Sequence, residues 1–126
     1  MSVKQAIVAA EILLPGEPQA EGLDPRWQAL IAVAEFIEEA PEPIWQFVHR
    51  WGGNDSDDLR DAIATILLEH LLEHHFESIF PRVEEAVRRD RRFADTFLRC
   101  WKFGQTELPH NLSRFESLQS WCSTIA

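Results

Sequence analysis

The chain has 126 residues, 45% of them hydrophobic and 26% charged, with a net charge of −9. That length and balance suit one domain with a closed core and exclude an intrinsically disordered chain. The excess of acid argues against nucleic acid or an anionic membrane as partner, and no apolar run is long enough to span a bilayer.

The acidity is unevenly placed. Residues 1–58 carry eleven Asp and Glu against Lys4, Arg26 and Arg50, a balance of −8. Residues 59–126 carry ten acids and nine bases, a balance of −1. The opening MSVKQAIVAAEILLPGE has one Lys and a Glu inside its apolar part. A secretory signal has a more basic start and an unbroken apolar middle, so a cytoplasmic protein is expected. Cys100 and Cys122 form no CxxC pair and fall on apolar helix faces, where a free thiol acts as a small hydrophobe.

In chain order, Ser2 is the predicted cap of a first helix from about Val3 to Leu14, stopped by Pro15-Gly16. PGEPQAEGL reads as a linker. Asp24-Pro25 opens a second helix to about Ala40, with Trp27, Leu30, Val33, Ala34 and Ile37 inward and Gln28, Glu35 and Glu39 outward. Pro41 and Pro43 end it and open a third, about Pro43 to Trp51, which Gly52-Gly53 stops. Ile44, Phe47, Val48 and Trp51 form its buried stripe, with Trp45 at the edge. Asn54 to Asp58 is a cap-rich loop whose acids suit the positive end of the helix that follows.

That helix, LRDAIATILLEHLLEHHFESIF over residues 59–80, has no Pro or Gly and is apolar nearly all round. Such a helix is central, packed on several neighbours, and Leu67, Leu71 and Phe76 are expected in the core. Pro81 is expected to break it and to start a helix to about Arg89. The next, about Arg92 to Phe103, turns Phe93, Phe97, Cys100 and Trp101 inward and closes at Gly104. Ser113 with Glu116 forms a capping-box pattern for a last helix through about Cys122. The predicted fold is all-α: one domain over residues 1–126, about seven helices around the central one. Offset by fifty residues, Val33 meets Val83, Ile37 meets Val87, Phe47 meets Phe97, Val48 meets Leu98 and Trp51 meets Trp101. Such a faint repeat fits HEAT-like stacks of antiparallel helix pairs, although an irregular bundle has the same periodicities.

His70-Leu71-Leu72-Glu73-His74 matches the H-x-x-E-H pattern of inverted zinc peptidases, and His70 and His74 share a helical face. Those enzymes take a further Glu from well downstream on a larger fold, and little chain follows here. Glu84, Glu85 and His110 are the remaining third-ligand candidates. The cluster reads more simply as the place where a core helix emerges into water, so no metal or other cofactor is expected. Arg88, Arg89, Arg91 and Arg92 read as helix-end and salt-bridging charges rather than a phosphate site. No nucleophile motif or Gly-rich phosphate loop is present, so no catalytic residues are assigned. Trp27, Trp51 and Trp101 are expected in the core, and Trp45 and Trp121 at stripe edges.

These patterns point to a non-enzymatic binder of a basic protein. Its expected contact surface is one continuous acidic patch of Glu35, Glu39, Glu42, Asp55, Asp57 and Asp58, with Trp45 as aromatic anchor. The alternatives are a metal-dependent hydrolase using His70, Glu73 and His74, and an oligomerisation module.

From about Pro41 to Trp101, the segments PEPIWQFV, LEHLLEHHF, VEEAVRRDRRF and FLRCW resemble a family of small uncharacterised bacterial helical domains. The family has a Pro-Glu turn before a Trp helix, then a Leu-rich helix, an acidic-alanine helix and an aromatic helix ending in Trp. The resemblance implies a helical, HEAT-like fold and no known activity. This chain departs from the pattern at His74-His75-Phe76, where a Gly turn would often sit. By size and charge it also resembles immunity proteins that neutralise antibacterial toxins, which implies a toxin effector domain as partner.

Overall fold

The structure is a computed structural model that describes residues 1–17 and 22–125; part of the expected linker, residues 18–21, lies outside them. The described residues form an all-helical bundle with no strand. In chain order they are α1 (Val3–Leu13), α2 (Pro25–Ala34), α3 (Pro41–Trp51), α4 (Asp57–Ala62), α5 (Glu69–Arg89), α6 (Arg91–Leu98) and α7 (Pro109–Ile125). A π-helical turn, Ile63–Leu68, joins α4 to α5, so Asp57–Arg89 is one continuous rod and the bundle has six helical rods among the described residues.

Local chemistry explains most of the starts. Ser2 and Gln5 form a reciprocal capping box on α1, with Gln5 N donating to Ser2 Oγ at 3.2 Å and Ser2 N to Gln5 Oε1 at 2.8 Å. Asp24 caps α2 and Pro25 fills its first turn, where a missing N–H costs nothing. The same logic starts α3 at Pro41, two residues earlier than expected. Helix α2 ends at Ala34, not near Ala40. Phe36 and Ile37 donate to the carbonyls of Val33 and Ala34, the tighter i to i+3 pattern of a fraying helix end.

The central rod is buried as its composition demands. Ile63, Ala64, Leu67, Leu68, Leu71, Leu72 and Phe76 are fully buried in one connected apolar core. The break in the rod is not at Pro81. It falls at His75, whose φ of −140° and ψ of 45° are non-helical, while Pro81 sits inside α5. Pro81 removes the N–H that the Glu77 carbonyl would accept, but Glu77 is exposed and water can replace that donor. At His75 the protein replaces the lost bonds itself. Gln105 Nε2 donates to the His74 carbonyl at 2.8 Å, and Gln105 Oε1 accepts from Phe76 N at 2.9 Å. His75 Nε2 lies 2.9 Å from the Ile37 carbonyl. Replacing Gln105 by Ala strands both groups at the kink, and a loss of about 1–2 kcal/mol in urea unfolding is expected.

Helix α6 also stops short of the expected Phe103. Glu69 Oε1 accepts the Trp101 N–H at 2.9 Å, a donor that a continuing helix would give to the Phe97 carbonyl. The chain therefore peels away after Leu98, and Trp101 is 62% exposed rather than core. Gly104 then turns at φ +50°, and a Cβ there would sit 2.7 Å from Glu73 Cγ, so only glycine fits. Helix α7 starts at Pro109, ahead of the expected Ser113 cap, which lies inside it. Gly52 is required for space: a Cβ would stand 2.7 Å from the Phe93 ring, where α3 meets α6.

The repeat keeps its first three position pairs in the core. It diverges at the fourth and fifth, where Leu98 is half-buried and Trp101 exposed opposite Val48 and Trp51.

Candidate functional site

The acids expected to form one patch are divided by the fold. At the start of α2, Asp58 pairs with Arg26, which also holds Asp24. Asp57 pairs with Arg60 and Arg99. Across the molecule, Arg82 on α5 pairs with Glu42 and holds its carboxyl below the usual range. Glu35 and Glu39 lie at the other end of α2, about 14 Å along its axis from Arg26. Three of the six acids, Glu42, Asp57 and Asp58, are therefore engaged by arginines within the fold. Asp55 is exposed and lines a cleft beside Leu14, Trp51 and Leu59. Trp45 is 5% exposed, stacked on His49 with centroids 5.6 Å apart and edge-on to Phe93 at 5.9 Å. It is a core residue, not a free anchor. The ideal-helix reading put it at the stripe edge, but α6 covers that edge.

What the fold brings together is the far end of α2 and the histidine cluster. A cleft of about 290 Å³ is lined by Ala34, Glu35, Ile37, Glu38, His70 and His74. His70 Nδ1 lies 2.7 Å from Glu73 Oε1, and its ring stacks on Phe103 at 5.5 Å. His74 Nε2 lies 3.6 Å from the same Glu73 oxygen, and its Nδ1 lies 3.3 Å from Glu38 Oε1. Glu69 approaches His70 Nε2 at 3.5 Å from behind. Each imidazole thus faces carboxylates on two sides. Among the described residues, no three His, Cys, Asp or Glu side chains are grouped to hold a metal ion.

Burial raises the Glu69 carboxyl above its ordinary 4.5, against the lowering effect of the Trp101 N–H. A raised folded pKa means that the native state binds the proton more tightly than the unfolded chain. The stability penalty is absent below 4.5 and complete above the folded pKa. Glu69→Gln keeps the acceptor for Trp101 and removes the buried charge. It should raise the melting temperature at pH 7, with the advantage shrinking as pH falls below the folded pKa and gone below 4.5. The cysteines offer no nucleophile. Burial, with Glu69 nearby, pushes the Cys100 thiol well up, and burial lifts the Cys122 thiol to about 11.

Sequence reasoning missed Glu38. Glu38 stands in the acid-rich run EFIEEAPE, a visible signal, but an ideal helix through Ala40 does not aim it at His74. The early end of α2 re-aims it. Glu69 belongs to the His-Glu cluster in the sequence, and only the return of Trp101 shows its role as a backbone acceptor. Among the described residues, Glu35 and Glu39 are exposed and make no ion pair, whereas Glu11, Asp24, Glu42, Asp57 and Asp58 all pair with arginine. Arg88 and Arg89 pair with Glu84 and Glu85 on their own helix, and Arg88 lies over the Trp121 ring at 4.8 Å. No helix of the described residues is long and apolar enough to cross a membrane. No protein-family model, curated protein or solved structure matches this chain.

Proposed function

We propose that this chain is a non-enzymatic protein-binding domain of the cytoplasm, an immunity protein that neutralises a basic toxin effector domain through its acidic first half. The observation that supports this is the cluster Glu35, Glu38 and Glu39 at the trailing end of α2. Glu35, the C-cap of α2, opposes the helix dipole at a cost of about 0.3–1 kcal/mol. Acids kept there, two of them without an internal partner, are placed for an external cation. A basic toxin met by such a field associates quickly, because steering raises the on-rate. We also read α1 with α2, and the later helices in turn, as HEAT-like stacked antiparallel pairs that present this edge.

The test uses the protein encoded beside this chain's own gene. Co-expression should rescue growth from that protein, and Glu35→Lys with Glu39→Lys should slow association, most at low salt. The same pair should leave stability within about 0.5 kcal/mol, since both sites are exposed and Lys suits the C-terminus of α2 at 35 but not the approach to α3 at 39. A neighbour that is neither basic nor toxic defeats the reading. So does zinc at about one equivalent on untagged protein, lost in His70→Ala and His74→Ala, which would instead establish the hydrolase.

A further inference from the structure

Helix α1, VKQAIVAAEIL, is apolar on more than one side, a pattern that belongs to helices packed on several neighbours. Yet it buries only Ala6, Ile7 and Ala10, with Leu14 just beyond its end, against the rest of the bundle. Val8 and Ile12, one turn apart, are 51% and 74% exposed. The chain returns through Arg26, whose Nη1 donates to the Gly16 carbonyl at 3.5 Å, so α1 and α2 form a hairpin packed along its length. On α2 the outward row is Gln28, Ile31 and Glu35, with Ile31 45% exposed. Six of the eight large apolar side chains left exposed among the described residues lie in residues 1–31. The unpartnered apolar surface is thus concentrated in the half of the chain that also holds the acid excess.

We infer that the outer face of the α1–α2 hairpin docks a segment of a basic partner that carries one apolar face: Val8, Ile12 and Ile31 receive the apolar side, and Glu35 and Glu39 its Lys or Arg side. This rests on the proposed binding of a basic protein and names the surface and the chemistry of the segment. Charge selects the occupant. A second copy on this face would bring two sets of unpaired Glu35 and Glu39 together, and an anionic membrane is repelled by the same carboxylates. A basic amphipathic segment gains on both counts. The length of α1, about 16 Å, matches some three turns of a bound helix.

Three synthetic peptides of one length and charge test it by titration against amide chemical shifts of the full chain. The first is a Lys/Leu helix former with a single apolar face, the second the same composition scrambled, and the third a Lys/Gln peptide. The amphipathic peptide should bind tightest and shift Val8, Ile12 and Ile31. Ile12→Gln with Ile31→Gln, both at exposed sites, should weaken it about tenfold or more without changing the melt or the affinity for the Lys/Gln peptide. Equal binding of the amphipathic and scrambled peptides, or no effect of the double variant, overturns the docking face while binding through the acids stands. No binding of any cationic peptide at low salt overturns both readings. A homodimer in sedimentation that the double variant disperses overturns the inference in favour of a second copy.

Discussion

Leu71→Ala should destabilise the protein by about 2–5 kcal/mol, the range for large-to-small changes in a filled core. Leu71 is fully buried in the central rod, between the π-helical turn and the kink at His75. Neither neighbour can slide to fill the space easily. The π turn fixes the register below it, and Gln105 holds the backbone above it. The cost should therefore fall in the upper part of that range. Chemical unfolding checks it: a midpoint shift with an unchanged slope is expected, because the loss is of packing and not of compactness. A change within a few tenths of a kcal/mol would mean that the rod is not central.

Arg60→Ala should be the next most damaging change, at about 2–3 kcal/mol. Arg60 is only 8% exposed and ties three elements together. Its Nε donates to Asp95 Oδ2 on α6 at 3.0 Å, its Nη1 to the Asn54 carbonyl at 2.7 Å, and its Nη2 pairs with Asp57. The figure is set below the cost of breaking a fully buried pair because Asp95 is more than a third exposed and water can partly replace the arginine. The effect should depend on pH. Burial acts to raise the Asp95 carboxyl, but the Arg60 and Arg99 hydrogen bonds outweigh it and hold the group below its ordinary 3.8. A depressed carboxylate stabilises the fold above its unfolded pKa, and that contribution fades as pH falls through the folded value. The deficit of Arg60→Ala should thus be largest at neutral pH and narrow below about pH 4. A deficit that stays constant from pH 7 to strong acid would show that Arg60 acts by packing alone.

The acids here divide between those that ion pairs tie into the fold and those left without such a partner. Arg60 on α4 pairs with Asp95 on α6, Arg82 on α5 with Glu42 on α3, and Arg99 just past α6 with Asp57 on α4, each between elements that must stay together. Glu35 and Glu39 have no such duty. Exchanging them should leave the fold intact, which makes the binding proposal separable from stability in a single set of variants.

The amino-acid sequence alone determined the features that depend on near neighbours. Ser2 with Gln5, Asp24-Pro25 and the proline at the head of α3 start helices through contacts within four residues, so they are legible as text. The burial of Leu67, Leu71 and Phe76 follows from a long apolar segment that has nowhere else to go. Tertiary structure decided what depends on a distant competitor for a local bond. Gln105 moved the break from Pro81 to His75, because a side-chain amide from thirty residues away replaces two backbone bonds there. Glu69 took the Trp101 N–H, ending α6 early and exposing an indole that helical spacing places inside. Packing by α6 buried Trp45, and arginines from elsewhere in the fold claimed three of the six acids expected in the patch. Net charge is a sum over the chain, but the free charge at a surface is what remains after such pairing. That remainder, which includes Glu35 and Glu39 after α2 and Asp55 before α4, is visible only once the helices are assembled.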